Sequence, residues 1–472
     1  MSGKIRILPL VAIGVMLTAC NLSLFSTAQP TLSNINGAAL PSGPVGSALV
    51  LAGAGFGDVQ GSGRVLFSPA TGGVALTATV ISWTQAAVVA TVPTGAPGDY
   101  VVAVQSGNGI TSGARLFTVT PAAPFDASAV TWSAGPVLPG AVSGAGVAYA
   151  QIGTGGYVYV VGGAGTGGAP VATVSYATVG TNGTLSAWTA TTPLPTALAF
   201  AGVVAATQRN SAVISNGFVY ALGGATSAAG APVSTVYRAP INADGSLGSW
   251  TTLTTPLPAA LRSVGAIVMY GSLYVVGGAA TSNAPVATTY RSPIQVDGAV
   301  SWKTQMALPA GRARFGFGGL GLYLYVVGGD SNAVAPNDTS PSTSRTSTVY
   351  FAKLNPSTRD IATSWTTTTP LPAARSAHTA VFGTSSVLVT GGLYAGALTN
   401  SSEEVYAPVN VDGTIGTFAT ASPSISALCG GCSLFNHGAT GYPGSNGGFH
   451  VLVAGGDDAK ALGTRRAETF IY

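Results

Sequence analysis

Four arginines stand a few residues beyond Leu-Pro pairs: Arg262, Arg312, Arg314 and Arg375, with His378 just after the last. Guanidinium groups that converge can grip a carboxylate, or the acid group of a sugar, through paired charge-assisted hydrogen bonds. These five residues are the candidate ligand-binding set. The competing reading is architectural, because an arginine at the start of a strand can brace it. Val142 and Leu198 occupy the corresponding places in two other copies of the pattern, so a basic rim would be incomplete. A second chemical feature is Cys429-Gly430-Gly431-Cys432. In a chain with an export leader, such a pair reads first as a local disulfide. As a metal site it supplies two ligands and would need His437 or His450 to complete it. A redox role lacks the βαβ setting that such a motif needs. Glu403, Glu404 and Glu468 are carboxylates whose separation in sequence does not make a catalytic pair. The chain has no Ser-His-Asp pattern, HExxH or phosphate loop, so no catalytic residue is assigned and no metal or cofactor is expected.

The elements that must position these residues repeat. Six apolar runs end in Gly-Gly, at Gly162-Gly163, Gly223-Gly224, Gly277-Gly278, Gly328-Gly329, Gly391-Gly392 and Gly455-Gly456, spaced 51 to 64 residues apart. Each is followed by a run ending in an aromatic residue: Tyr176, Tyr237, Tyr290, Tyr350, Tyr406 and Phe470. Tight turns come next at Asn182-Gly183, Asp244-Gly245, Asp297-Gly298 and Asp412-Gly413, dipeptides suited to hairpin turns. A large aromatic (Trp188, Trp250, Trp302, Trp365 or Phe418), commonly a Leu-Pro pair, and another apolar run complete the unit. That makes four strands per unit. A four-stranded sheet with two apolar faces cannot bury itself alone, so the units must stack around an axis.

The coupling of Gly-Gly to a downstream Tyr and Trp resembles the Kelch repeat, over residues 128–472. The resemblance implies a six-bladed β-propeller. The sixth unit runs out of chain after its third strand, at 468–471. The segment at 129–132, which carries Trp132 and precedes Leu138-Pro139, is expected to supply the missing strand and close the ring. Closure removes the open sheet edges of a fan. The long connections at 164–173, 225–235, 330–346, 393–402 and 419–433 are expected on one face, which is the candidate working face.

Lys4 and Arg6 precede an apolar run at 7–17 that ends in Leu17-Thr18-Ala19-Cys20. This reads as an export signal and is too short to span a membrane comfortably. Its end resembles the bacterial lipobox, which implies a signal peptide at 1–19, lipidation of Cys20, a tether at 20–29, and anchoring to the bacterial cell envelope, at the outer membrane or cell surface in a two-membrane cell. Residues 30–121 form a separate unit, with strands expected at 48–51, 64–67, 76–81, 87–92, 100–104 and 115–119. The Gly53-Ala54-Gly55-Phe56-Gly57 turn, Val92-Pro93, Gly98-Asp99-Tyr100 and Phe117-Thr118-Val119 resemble an immunoglobulin-like IPT/TIG domain. That implies a β-sandwich and a spacer role. A proline-bearing linker at 122–127 follows. The fold class is thus all-β, a sandwich and then a propeller.

Charged residues make up 7% of the chain and the formal net charge is +4, too little over this length to argue for nucleic acid. The leading function is a membrane-anchored binding scaffold that recognises a protein or glycan through the long-loop face. Two alternatives stay open. One is a carbohydrate-active enzyme, more like the sialic-acid mutarotases than galactose oxidase among Kelch-type propellers. The other is a purely structural envelope component.

Overall fold

The structure is a computed structural model that describes residues 29–472 except 37–40, 45–47, 71, 94–97, 121–130, 153–154, 181, 211–212, 337, 339–341, 384, 396–402, 423, 444–448 and 462–463. The leader, Cys20, the tether up to residue 28, the linker, and Ala129 and Val130 of the expected closing strand lie outside the described residues. The fold is all-β. The one helical turn among the described residues is the 3₁₀ segment Ile425–Ala427, and among those residues no helix is long and apolar enough to cross a membrane.

The N-terminal unit is two packed sheets. One runs in the order Thr31–Ile35, Ala48–Ala54, Ala87–Thr91, Val80–Trp83; the other runs Ser42–Pro44, Arg115–Thr120, Gly98–Gln105, Arg64–Pro69, Leu76–Ala78. The expected strand at 76–81 is split. Leu76–Ala78 pairs in one sheet and Val80–Trp83 in the other, so the chain changes sheets at Thr79. Alternate residues point inward: Leu49, Leu51, Val65, Phe67, Val88, Ala90, Val102 and Val104 share one core with Phe56 and Phe117. This is the period-two burial that sheet geometry imposes.

Residues from 133 onward form six four-stranded antiparallel sheets. Their first strands are Gly146–Ile152, Gly202–Asn210, Gly265–Met269, Gly316–Leu320, Thr379–Phe382 and Gly438–Pro443, and define sheets one to six. In sheets one to five each strand pairs with the next in sequence. Sheet six takes its outer strand from far upstream: Ser133–Ala134 pairs with Thr469–Ile471. The pairing residues therefore follow Trp132 rather than include it, and Trp132 is buried beside them. Each first strand packs against that of the next sheet, and sheet six against sheet one. The result is a closed, propeller-like ring.

The Gly-Gly pairs are where neighbouring sheets touch. In all six copies φ is 58° to 63° at the first glycine and 94° to 109° at the second. The second N–H donates to a carbonyl of the following sheet at 2.8–2.9 Å, from Gly163 to Leu198 through to Gly456 and Val142, which joins sheet six to sheet one. A Cβ on the first glycine would lie 2.3–2.9 Å from those same oxygens. The repeated aromatics make the other seams. The hydroxyls of Tyr159, Tyr220, Tyr274 and Tyr325 donate to the carbonyls of Gly245, Gly298, Arg359 and Gly413 in the next sheet's turn, at 2.5–2.9 Å. Sheets five and six have Leu388 and Leu452 at that position. Tyr442, on the first strand of sheet six, reaches Gly183 of sheet one instead. Trp188, Trp250, Trp302 and Trp365 donate backward to Pro136, Thr192, Thr255 and Met306.

The two units are in direct contact. Val50 and Val89, on the outer face of the sandwich, are 0% and 1% exposed. They pack with Leu322, Leu324 and Tyr274 of sheets three and four. Leu322 sits in a short first-to-second-strand turn, so the sandwich docks on the short-turn face and leaves the opposite face to the long connections.

Candidate functional site

The inner strands enclose an axial cavity of about 310 Å³, lined by Val147, Val203, Ile267, Phe317, Val381 and Phe449 among others. Its side-chain lining is apolar apart from Tyr149 and Thr440. The polar chemistry gathers at the Gly-Gly end.

There, just before each first strand, one residue of every sheet adopts a left-handed conformation. These are Gly144, Phe200, Ser263, Arg314, Ala377 and Asn436, with φ of 49° to 58°. Their peptides bond head to tail around the axis. Phe200 N–H donates to Gly144 O, Ser263 to Phe200, Ala377 to Arg314, Asn436 to Ala377 and Gly144 to Asn436, at 2.6–2.8 Å. The six backbones match and the six side chains all differ.

The sequence-predicted residues fall into two groups. Arg314 belongs to this collar. Its Nε donates to Asp330 Oδ2 at 2.7 Å and its Nη1 to the carbonyls of Pro336 and Asp338 at 3.2 and 3.3 Å. Arg262, one position earlier in its repeat, is fully buried and donates to Asn283 Oδ1 at 2.6 Å and Val334 O at 3.3 Å. Burial, reinforced by the neighbouring Arg314, pushes Arg262 down to about 10. Arg312 and Arg375 occupy a third repeat position and face between sheets. Arg312 stacks 5.0 Å over the Tyr350 ring and bonds its hydroxyl at 3.1 Å. Arg375 stacks 4.5 Å over Tyr394 and donates to the carbonyls of Gly391 and Glu403. His378 is buried, with Nε2 2.9 Å from Val327 O, and burial then Arg375 lower it to about 3. The four arginines therefore do not converge on one point; Arg262 and Arg314 do, while Arg312, Arg375 and His378 pack the interior.

Three participants were missed from sequence. Asp330 follows its Gly-Gly pair directly, where sheets one to three have Ala164, Ala225 and Ala279. Its backbone forms an isolated β-bridge with Arg345, as the backbone of Asp457 does with Arg465 at the same place in sheet six. Asn436 donates to Pro336 O and Asp457 Oδ2. Alignment of the six Gly-Gly pairs would have exposed both Asp substitutions. The path of the 330–346 connection carries no such signal. Residues 331–336 lie across the mouth, with the Pro336 ring against Gly230 of sheet two.

Cys429 and Cys432 are disulfide-bonded, with Cα atoms 5.5 Å apart. The loop they close follows the 3₁₀ turn, whose Ile425 N–H donates to Glu404 Oε1. Burial raises Glu404 to about 7. His437 is buried between Thr379 and Thr390, 2.9 Å from each hydroxyl, and is lowered by burial to about 4. Among the described residues no three His, Cys, Asp or Glu side chains are grouped to hold a metal ion.

The solved structure of YjhT is similar over 71% of this chain and 95% of its own, at 14% identity and a TM-score of 0.47. No known family profile and no curated protein sequence matches the chain.

Proposed function

We propose that the chain is a lipid-anchored binding protein of the bacterial envelope, in which an IPT/TIG-type sandwich supports a six-bladed Kelch-type propeller that recognises a protein or glycan through its long-connection face. The observation that carries this reading is the collar. Six repeats keep one left-handed backbone conformation at the axial mouth, five of the six links between them are the same N–H to carbonyl bond, and the positions present Gly, Phe, Ser, Arg, Ala and Asn there. A scaffold that repeats its backbone and diversifies its side chains at a rim suits recognition, because binding residues concentrate where a rigid frame presents variable positions. The Gly-Gly, Tyr and Trp seams support the Kelch reading. The Leu-x-Ala-Cys run supports the anchor, and the sandwich docked on the short-turn face supports an outward orientation of the mouth.

The experiment is a glycan and protein screen on the soluble chain from residue 30, repeated with Phe200→Ala and Asn436→Ala, and with Val296→Ser on the far side as control. Binding should fall for the collar variants alone. A partner lost with Val296→Ser and kept by the collar variants would place recognition on the other face. Cys20→Ser tests the anchor: wild-type protein from a bacterial host should take up labelled acyl chains and the variant should not.

A further inference from the structure

The axial mouth holds more positive charge than its own carboxylates answer. Arg262, Arg314 and Arg345 are 0%, 6% and 4% exposed, and they sit close enough that Arg314 disfavours the charge on both of the others. Asp330 and Asp338 oppose them, while Asp457 is engaged by Arg465 at 3.3 Å. Three guanidiniums thus face two carboxylates. Arg262 Nε and Arg314 Nη2 are buried donors with no acceptor, and Asp330 Oδ1 beside them is a buried acceptor with no donor. Such donors are costly to leave unmade in a low-dielectric setting.

What fills the mouth is the chain itself. Val334 O takes a bond from Arg262, Pro336 O from Arg314 and Asn436, and Asp338 O from Arg314, all at 3.2–3.4 Å. These carbonyl oxygens bond the Nη atoms of Arg262 and Arg314 but carry no formal charge, so beyond the Arg314–Asp330 pair the charge of Arg262 is not opposed by a carboxylate in contact with it. A monoanion would meet both requirements, and charge-assisted bonds from guanidinium to carboxylate are shorter and stronger than these.

We propose that the mouth is a site for a carboxylate-bearing ligand, held by Arg262 and Arg314, and that residues 331–336 occupy it as an internal stand-in which the ligand displaces. This rests on the reading of the long-connection face as the binding face and names its ligand chemistry. It also explains why the arginines look satisfied while still carrying unmet donors.

The test uses D-glucuronate as probe and D-glucose as neutral control, in calorimetric titrations of the chain from residue 30. Competition from the stand-in lowers apparent affinity by the fraction of molecules that are open. Pro336→Gly, which removes the ring wedged at Gly230, should therefore bind glucuronate several-fold more tightly than wild type. Glucose should bind neither. Arg314→Gln paired with Asp330→Asn removes both partners of the buried ion pair, so that neither is left charged and alone. Added to Pro336→Gly, it should weaken glucuronate at least about tenfold. If Arg314→Gln with Asp330→Asn does not fold, Asn283→Ala serves in its place: it frees the Arg262 fork and should change glucuronate affinity without touching Asp330. Equal affinity in wild type and Pro336→Gly would overturn the stand-in. Equal binding of sulfate and glucuronate would overturn the carboxylate assignment in favour of a non-selective anion site. No glucuronate binding in any variant, with a neutral partner still captured in a collar-dependent way, overturns this inference and leaves the binding-face reading standing; loss of collar dependence as well overturns both.

Discussion

Gly223→Ala and Gly271→Ala make a matched pair that isolates the seam between sheets. Both glycines have positive φ, 60° and 71°, so alanine meets similar backbone strain at each, about 1–2 kcal/mol. The surroundings differ. A Cβ at Gly271 meets nothing within 4 Å, whereas at Gly223 it would lie 2.3 Å from Leu261 O and 3.1 Å from Val233 O. Relief requires sheet three to retreat by about an ångström from sheet two, an overpacking cost of about 1–3 kcal/mol. The retreat also lengthens the 2.9 Å bond from Gly224 N–H to Leu261 O, worth about 1 kcal/mol net and more if the carbonyl is left dry. Gly223→Ala should thus be less stable than Gly271→Ala by about 2–4 kcal/mol. Urea unfolding followed by tryptophan fluorescence measures it, since Trp250 and Trp302 sit in the two sheets concerned. A difference below about 1 kcal/mol, within the spread of ordinary substitutions, would refute the view that the glycine pair exists to let the next sheet approach.

Three further outcomes are expected. Tyr220→Phe, which strands the Gly298 carbonyl, should lower stability by about 1–3 kcal/mol, whereas Leu388→Tyr in sheet five should not raise it, because the outer strand of sheet six comes from far upstream and no turn follows its third strand; both are read from urea midpoints. Arg375→Met should destabilise the fold by about 2–5 kcal/mol and leave the ligand affinity of the folded fraction unchanged, as calorimetry beside melting would show. Stability should rise with pH between about 4.5 and 6.5. Burial lowers His378 to about 3 and His437 to about 4 from 6.5, so their contribution is complete above 6.5 and is lost as pH falls. Glu404, raised by burial to about 7 from 4.5, contributes below 4.5 and loses that contribution as pH rises through 7. Burial also raises Asp457, which opposes the rise at its acid end, but two histidine slopes outweigh that of Glu404 above it, and Glu404→Gln should steepen the rise; a flat profile in wild type would contradict this assignment of proton uptake.

The parts of this fold legible in sequence are those where one physical demand recurs. The Gly-Gly pairs, the Asp-Gly turns and the strand aromatics each answer a contact between neighbouring sheets, so each appears at a fixed place in successive units. The split of 76–81 between two sheets was hidden because Leu76, Thr77, Val80 and Ile81 read as one alternating strand, and nothing in Ala78-Thr79 marks a change of partner. The arginines were grouped by residue type, although Arg262, Arg312 and Arg314 hold three different positions of the repeat. Register decides which of them reaches the axis, and register is visible only once the Gly-Gly pairs are superposed. Asp330 and Asp457 were legible by that device. The course of residues 331–336 was not, because a connection held by its own carbonyls leaves its side chains free to vary. The packing of Val50 and Val89 on sheet four was equally silent: a valine pointing outward from a strand looks the same whether it meets solvent or another unit.

The pairing of Ser133–Ala134 with Thr469–Ile471 sets an order of events for the nascent chain. The Ser133 hydroxyl bonds to the carbonyl of Ile471, 338 residues further on. At ribosomal speeds of about 5–20 residues per second, that outer strand waits roughly 17–70 s for its partner. Sheets one to five can pair locally in the meantime, whereas the seam between the sixth and the first stays open, with apolar inner strands exposed. The slow step in forming the ring is then the arrival of the far segment. Loss of Thr469–Ile471 would leave a fan of five intact sheets that never becomes a ring.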